Sequence, residues 1–352
     1  MLTARVHRLL ALALMLPVAG ALAATTAHET ALGAGMVNPG YEEKPGWFKS
    51  SFLDIREDVA EARDAGRRVL LYFYQDGCPY CAKLLRENLA VASIVQKLRQ
   101  DYDVIAINLW GDREVTGFDG SARSEKDFST DLRVMFTPTL LLLDSDGAVA
   151  LRINGYYPPD QLEAALDYVT AGGSGRAGFR SFVAARESAF GTLGVSRAGP
   201  GFLSPPFHLN ARDALSGRPL LVVFDQGNCR ACDELHGDIF SRAATRELLA
   251  GFDVAVLDAN STTSLTTPAG ETTSAAAWAR ALGVVYTPSL VFFDAGGSEV
   301  FRTEGYLKSF HVQASLAYVG EGAYRTQPSF QRFVQSRADA LRARGVEVDL
   351  MN

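Results

Sequence analysis

Two stretches of this chain carry one pattern. Val69–Leu84, VLLYFYQDGCPYCAKL, and Leu220–Leu235, LLVVFDQGNCRACDEL, each run from an apolar segment through a polar turn into a Cys-x-x-Cys pair. The spacing from Cys78 to Cys229 is 151 residues, and that from Asp103-Val104 to Asp253-Val254 is 150. FTPTLLLLDSDG (Phe136–Gly147) then answers YTPSLVFFDAGG (Tyr286–Gly297). Gly155-Tyr156 answers Gly305-Tyr306, Tyr168-Val169 answers Tyr318-Val319, and Phe182-Val183 answers Phe333-Val334. The chain is a tandem duplication, so whatever one half folds into, the other does too. At 352 residues and 47% hydrophobic content it can bury two ordinary cores.

The repeated stretch also carries chemistry. Val69 to Tyr74 reads as a buried strand, Gln75-Asp76-Gly77 as a turn, and Pro79 as the first residue of a helix, where its missing N–H costs nothing. The Cys78 sulfur then sits at a helix start, where the unpaired N–H groups favour a thiolate and make it nucleophilic near neutral pH. Cys81, one turn on, is within reach to close a disulfide. Metal ligation and an inert short disulfide are the other readings of such a pair. Its place between a strand and a helix favours redox chemistry.

All four cysteines lie in the two pairs. A zinc site would have to gather them across the long gap from Cys81 to Cys229, unlike the close spacings of zinc ribbons. The formal charge of −6 is mild and spread, with no basic stripe, which argues against a nucleic-acid partner. None of the five histidines falls in a protease-like Cys–His arrangement, and His236 reads as a residue on a polar helix face. No nucleophile elbow, phosphate loop or His-metal pattern occurs, so no cofactor is expected. Pro79 and Tyr80 are expected at the rim of the first pair as substrate contacts. Arg230 would favour the Cys229 thiolate if it lay close, although exposed charges act weakly.

Met1–Ala23 reads as a secretory signal: Arg5 and Arg8, an apolar run Leu9–Leu16, and an Ala21-Leu22-Ala23 cleavage site. The expected location is therefore periplasmic or otherwise exported, where disulfides form and are edited. Residues 24–49 form a polar, flexible lead-in. The first domain is placed at 50–190, a Gly-, Ser- and Pro-rich linker at 191–206, and the second domain at 207–345. In the first domain the pattern predicts a helix within Ser50–Ala65, with Phe52, Ile55 and Val59 on its apolar face. The CxxC helix, a short helix at Val91–Leu98 and a strand Asp103–Leu109 follow, then a long loop Trp110–Arg123 and a helix Glu125–Val134. A hairpin of Thr139–Leu143 and Val149–Asn154, a closing helix Pro159–Tyr168 and an extra helix Phe179–Ala189 end the unit. The second domain repeats this order from a helix near Asn210–Leu215 to an extra helix at Ser329–Arg344.

With these elements in place, each repeat resembles the thioredoxin superfamily. The specific points are strand–CxxC–helix, then Thr137-Pro138-Thr139 and Thr287-Pro288-Ser289 before a hairpin, then Gly155 and Gly305 before the last helix. The first repeat is also similar to periplasmic thioredoxin-related proteins of the SoxW kind, through GCPYC, the long loop and TPT followed by LLLLDSDG. The resemblance implies an α/β chain of two tandem thioredoxin-like domains, each a central mixed β-sheet flanked by helices. It implies that Pro138 and Pro288 are cis and face Cys78 and Cys229. It further implies that the backbone at Thr137-Pro138 and Thr287-Pro288 pairs with an extended substrate. Two departures stand out. The buried aspartate six residues before the first cysteine is Tyr72 in one repeat and Val223 in the other. The tryptophan preceding that cysteine is Gly77 and Asn228. Asp76, Glu87, Asp225 and Glu234 are nearby carboxylates that read as surface charges.

The function expected is extracytoplasmic thiol–disulfide exchange on exported proteins, in the reducing or isomerising direction. Cys78 and Cys229 attack, and Cys81 and Cys232 resolve. The partners are exported protein thiols or disulfides, with a membrane electron donor as a further candidate. The alternative is a non-catalytic binding module whose CxxC disulfides are structural. A disulfide closing so small a loop removes little unfolded-state entropy, which makes stability a weak reason for two of them.

Overall fold

The computed structural model describes residues 42–187, 197, 199–210, 217–227, 229–346 and 348. The signal expected at 1–23, most of the lead-in, residues 191–196 of the linker, Asn228 and the helix expected near Asn210–Leu215 lie outside or largely outside them.

In the first repeat the chain runs α1 (Ile55–Asp64), β1 (Arg68–Tyr74), α2 (Pro79–Glu87), α3 (Ala92–Asp101), β2 (Tyr102–Asn108), β3 (Glu114–Thr116), β4 (Ala122–Ser124), α4 (Glu125–Asp131), β5 (Thr139–Leu143), β6 (Val149–Asn154), α5 (Pro159–Thr170) and α6 (Arg176–Glu187). β1 lies between parallel β2 and antiparallel β5, and β6 closes the edge against β5. Its side chains alternate. Leu70 and Tyr72 join Leu84, Leu98 and Leu162 on the face of α2, α3 and α5, while Leu71 and Phe73 meet Ile55, Val59 and Phe128 on the face of α1 and α4. A strand buried on both faces needs the unbroken apolar run that the sequence shows.

The second repeat has the same sheet: β7 (Leu220–Asp225) between parallel β8 (Asp253–Asp258) and antiparallel β11 (Ser289–Phe293), with β12 (Glu299–Glu304) at the edge. α7 (Arg230–Glu234), α8 (Ala243–Leu249), the short pair β9 (Ser264–Thr266) and β10 (Thr272–Ser274), α9 (Ala275–Ala281), α10 (Ser309–Gly320) and α11 (Phe330–Ala343) complete it. Among the described residues no helix is long and apolar enough to cross a membrane.

Three local expectations change. Phe52 is fully exposed and precedes α1, because the Asp54 carboxylate caps the Arg56 and Glu57 N–H groups and starts the helix there. The loop Trp110–Arg123 carries the β3–β4 hairpin, whose strands are too short to show a period. The CRAC helix widens after one turn into a π-helical segment, Leu235–Ile239, a feature often found at functional sites.

The repeats are packed together within one compact unit, residues 40–352. Met135 and Phe136 join the second repeat's core, with Phe136 5.7 Å from Phe301 and 5.6 Å from Phe330 between ring centroids. In return Val285 and Tyr286 join the first repeat's core, the Tyr286 ring tilted against Tyr157 at 4.8 Å. Between these crossings the Gly155 and Gly305 backbones meet, and Tyr306 N donates to Tyr156 O at 3.1 Å. Both glycines have positive φ, and a Cβ on either would lie 3.0 Å from the other repeat's backbone oxygen. A side chain at either would be strained and would push the two backbones apart.

Candidate active sites

Each CxxC pair is held by the same backbone frame. β1 delivers the turn and Pro79 opens α2, so Cys78 becomes the helix cap and its Sγ accepts the Cys81 N–H at 3.0 Å. In the second repeat Cys229 caps α7 and accepts from Cys232 N at 3.1 Å. The Thr137–Pro138 and Thr287–Pro288 bonds are cis. The carbonyl oxygens ahead of these prolines lie 3.3 Å from Cys78 Sγ and 3.4 Å from Cys229 Sγ. Both pairs are closed as disulfides. All four cysteines are buried, Cys229 at 9% exposure being the most open of them.

Tyr80 is not at a solvent rim. It is buried, its hydroxyl accepts the Lys308 N–H at 2.7 Å, and its ring meets His311 edge-on at 4.9 Å. Burial pushes its hydroxyl pKa well above the usual tyrosine value. The dipeptide between the first two cysteines is thus clamped by the second repeat. Tyr156 and Tyr306, repeated after the paired glycines, face each other at 6.1 Å. Tyr156 donates to Glu87 at 2.7 Å and Tyr306 to Glu234 at 3.0 Å, so both carboxylates serve the contact between the repeats. Hydrogen bonding from Lys83, outweighing desolvation, holds Glu87 below the usual carboxylate range. Each aromatic side chain taken from water here contributes about 1.5–3 kcal/mol.

The extra helices also cross over. Arg180 of α6 donates to Val284 O at 3.3 Å and Asn260 Oδ1 at 2.9 Å, and also meets Ala259 O. Gln331 of α11 donates to Met135 O at 3.4 Å, and Arg332 lies 5.0 Å above the Trp110 ring. Around Cys78 the two repeats enclose a cleft of about 550 Å³, one wall from the first repeat and the other from α10 and α11.

The second site has a feature that sequence reasoning misplaced. Asp225 and His236, read as a surface charge and a polar-face histidine, are joined at 2.7 Å, and Asp225 is only 4% exposed. The buried Arg197 lies 3.6 Å from the same Asp225 oxygen and also bridges to Asp233 at 2.6 Å. Asp225 Oδ1 is buried with no hydrogen-bond partner among the described residues. Strand alternation was the available signal: Asp225 shares a face with Val223, which packs beneath the CRAC helix against Leu235 and Ile239. Arg230 is exposed, so the buried cation near this site is Arg197. Among the described residues no cluster could hold a metal ion.

The profile of the thioredoxin-like domain family matches residues 55–170 and 213–320, well over half of the chain. No curated protein sequence matches. Among solved structures, a thioredoxin-fold protein from Helicobacter pylori is similar over 41% of this chain and 92% of its own, at 16% identity and a TM-score of 0.33. A thioredoxin from Thermus thermophilus covers 32% of this chain and 81% of its own, at 23% identity and a TM-score of 0.26. The C-terminal domain of Neisseria meningitidis DsbD, in its oxidised form, covers 32% and 87%, at 16% identity and a TM-score of 0.24. At these scores none bears on what this chain does.

Proposed function

Since this chain belongs to the thioredoxin-like domain family and carries the domain twice, we propose that it is a thiol–disulfide oxidoreductase acting on exported proteins at both CxxC pairs. The observation that carries this reading is the shared frame. Each first sulfur takes a helix-start N–H and lies 3.3–3.4 Å from the carbonyl before a cis-proline. The N–H favours the thiolate, which is the attacking form.

In the reducing direction the Cys78 thiolate attacks one sulfur of a substrate disulfide. That bond breaks, one substrate thiolate leaves and takes a proton, and a mixed disulfide with Cys78 forms. Cys81, as thiolate, then attacks Cys78 Sγ and releases the second substrate thiol. Two electrons have passed to the substrate, and the pair is closed until a dithiol donor, for which a membrane protein is a candidate, reopens it. Cys229 and Cys232 take the same roles. The backbone at Thr137-Pro138 and Thr287-Pro288 lies beside the attacking sulfurs, in place to align the substrate. We take the direction to be reduction or isomerisation, which a redox titration of each pair against glutathione tests. The Met1–Ala23 pattern supports an exported location.

Trapping tests this. Cys81→Ser and Cys232→Ser chains, mixed with a disulfide-bearing peptide, should accumulate a mixed disulfide seen by mass spectrometry without reductant. Cys78→Ser and Cys229→Ser chains should not. Equal trapping by all four would remove the assignment of attacking and resolving sulfurs, and trapping by none would remove the activity.

A further inference from the structure

What can reach Cys78 is set by the second repeat. The cleft over the first pair, about 550 Å³, has the size of a small-ligand pocket. A folded protein docking on a partner needs a face of about 800 Å². The surface that would offer it, the loop ahead of the cis-proline, is already engaged, because Phe136 packs on Phe301 and Phe330.

A run of side-chain amides ties the far wall in place. Trp110 Nε1 donates to Gln75 Oε1 at 2.8 Å, Gln75 Nε2 donates to Gln331 Oε1 at 3.3 Å, and Gln331 Nε2 reaches Met135 O at 3.4 Å. The turn before Cys78, the loop after β2 and the loop before Pro138 are thereby joined to α11. That helix is anchored beneath by buried Phe330, Val334 and Ala338. At the other end Tyr80 is held by Lys308 N.

We infer that the first site takes disulfides carried on short or unfolded, extended peptide segments and turns away those presented on a folded surface. This rests on the oxidoreductase reading. The polar part of the cleft, with Gln75 and Gln335 beside Thr137, offers amide groups to an extended backbone. The chemistry is the two-step exchange already given, with the substrate disulfide reduced and Cys78–Cys81 oxidised.

The test uses the full chain with Cys229→Ser and Cys232→Ser, so that only the first pair turns over, and dithiothreitol as electron donor. The probes are glutathione disulfide, two tripeptides joined by one bond, and native insulin, each rate normalised to dithiothreitol alone. We expect turnover of the first probe, with kcat/KM for insulin lower by about a hundredfold. Gln331→Ala, which cuts the tie to α11, should raise the insulin-to-glutathione ratio about tenfold. Comparable kcat/KM on both probes overturns the inference, and so does a ratio that Gln331→Ala leaves unmoved. Turnover of neither probe overturns the oxidoreductase reading itself, a separate and recognisable failure.

Discussion

Behind the first CxxC helix stand Tyr74 and Leu85; behind the second, at the matching positions, stand Asp225 and His236. Tyr74 stacks on Tyr72 at 5.7 Å beneath the Lys44 ammonium, and Leu85 packs on the apolar core. Asp225 and His236 instead form a buried acid–imidazole pair with Arg197 beside it. The sulfur geometry is nonetheless alike, 3.0 and 3.1 Å to the helix N–H and 3.3 and 3.4 Å to the carbonyl. Duplication has kept the backbone frame that aims the sulfur and exchanged the side chains behind the helix from aromatic and aliphatic to ionisable. The difference between the sites lies in their surroundings.

The crossing aromatics give the largest test of how alike the two halves are. Tyr286 is 2% exposed inside the first repeat's core, whereas Phe136 is half-buried. Tyr286→Ala should cost about 3–5 kcal/mol in denaturant unfolding, and Phe136→Ala about 2 kcal/mol. Equal costs would mean that the exchange between the repeats is symmetric in energy as well as in position.

A smaller effect separates the sites chemically. Asp225 Oδ1 is buried with no hydrogen-bond partner among the described residues, which leaves an acceptor position open behind the CRAC helix. Asp225→Asn should slow the second site's resolving step about tenfold, so that its mixed disulfide accumulates although Cys232 is intact. The first site should not change. Single-turnover quench experiments on each pair, with the other pair removed, measure both steps. Slowing at both sites, or slowing of the Cys229 attack alone, would mean that Asp225 acts only through the fold.

Much of this was legible in the residues. The hairpin strands Thr139–Leu143 and Val149–Asn154 are bounded by turn chemistry at Asp144–Gly147, and the structure has them at those limits. The caps at Cys78 and Cys229 follow from a strand, a turn and a helix start in direct succession. What was hidden depends on docking. Nothing local marks Tyr80 as the acceptor for Lys308 N, 228 residues away. Phe136 and Tyr286 read as ordinary core aromatics, and pattern cannot say whose core. One sign was visible in α10: its sequence SFHVQASLAYVG is apolar almost all round, and such a helix must be covered on more than one side. The second repeat's own sheet covers one face, and Tyr80, packed on His311, reaches it from the other repeat.

Arg230 gives the smallest expected effect, and it bears on whether the CxxC dipeptides themselves separate the two sites. Arg230-Ala231 stands where Pro79-Tyr80 stands in the first repeat, and an arginine beside Cys229 invites the idea that its charge tunes the thiolate. The side chain is exposed, and exposed charges usually act by no more than about 1 kcal/mol. Screening shortens their reach further, to about 8 Å at physiological salt. The Cys232 N–H, by contrast, is a direct bond at 3.1 Å that salt does not screen. Arg230→Ala should therefore change the rate of Cys229 alkylation in the reduced protein by less than about twofold, and less still at high salt. A tenfold loss that vanishes in salt would return the dipeptide to the centre of the comparison and make Asp225 the lesser difference.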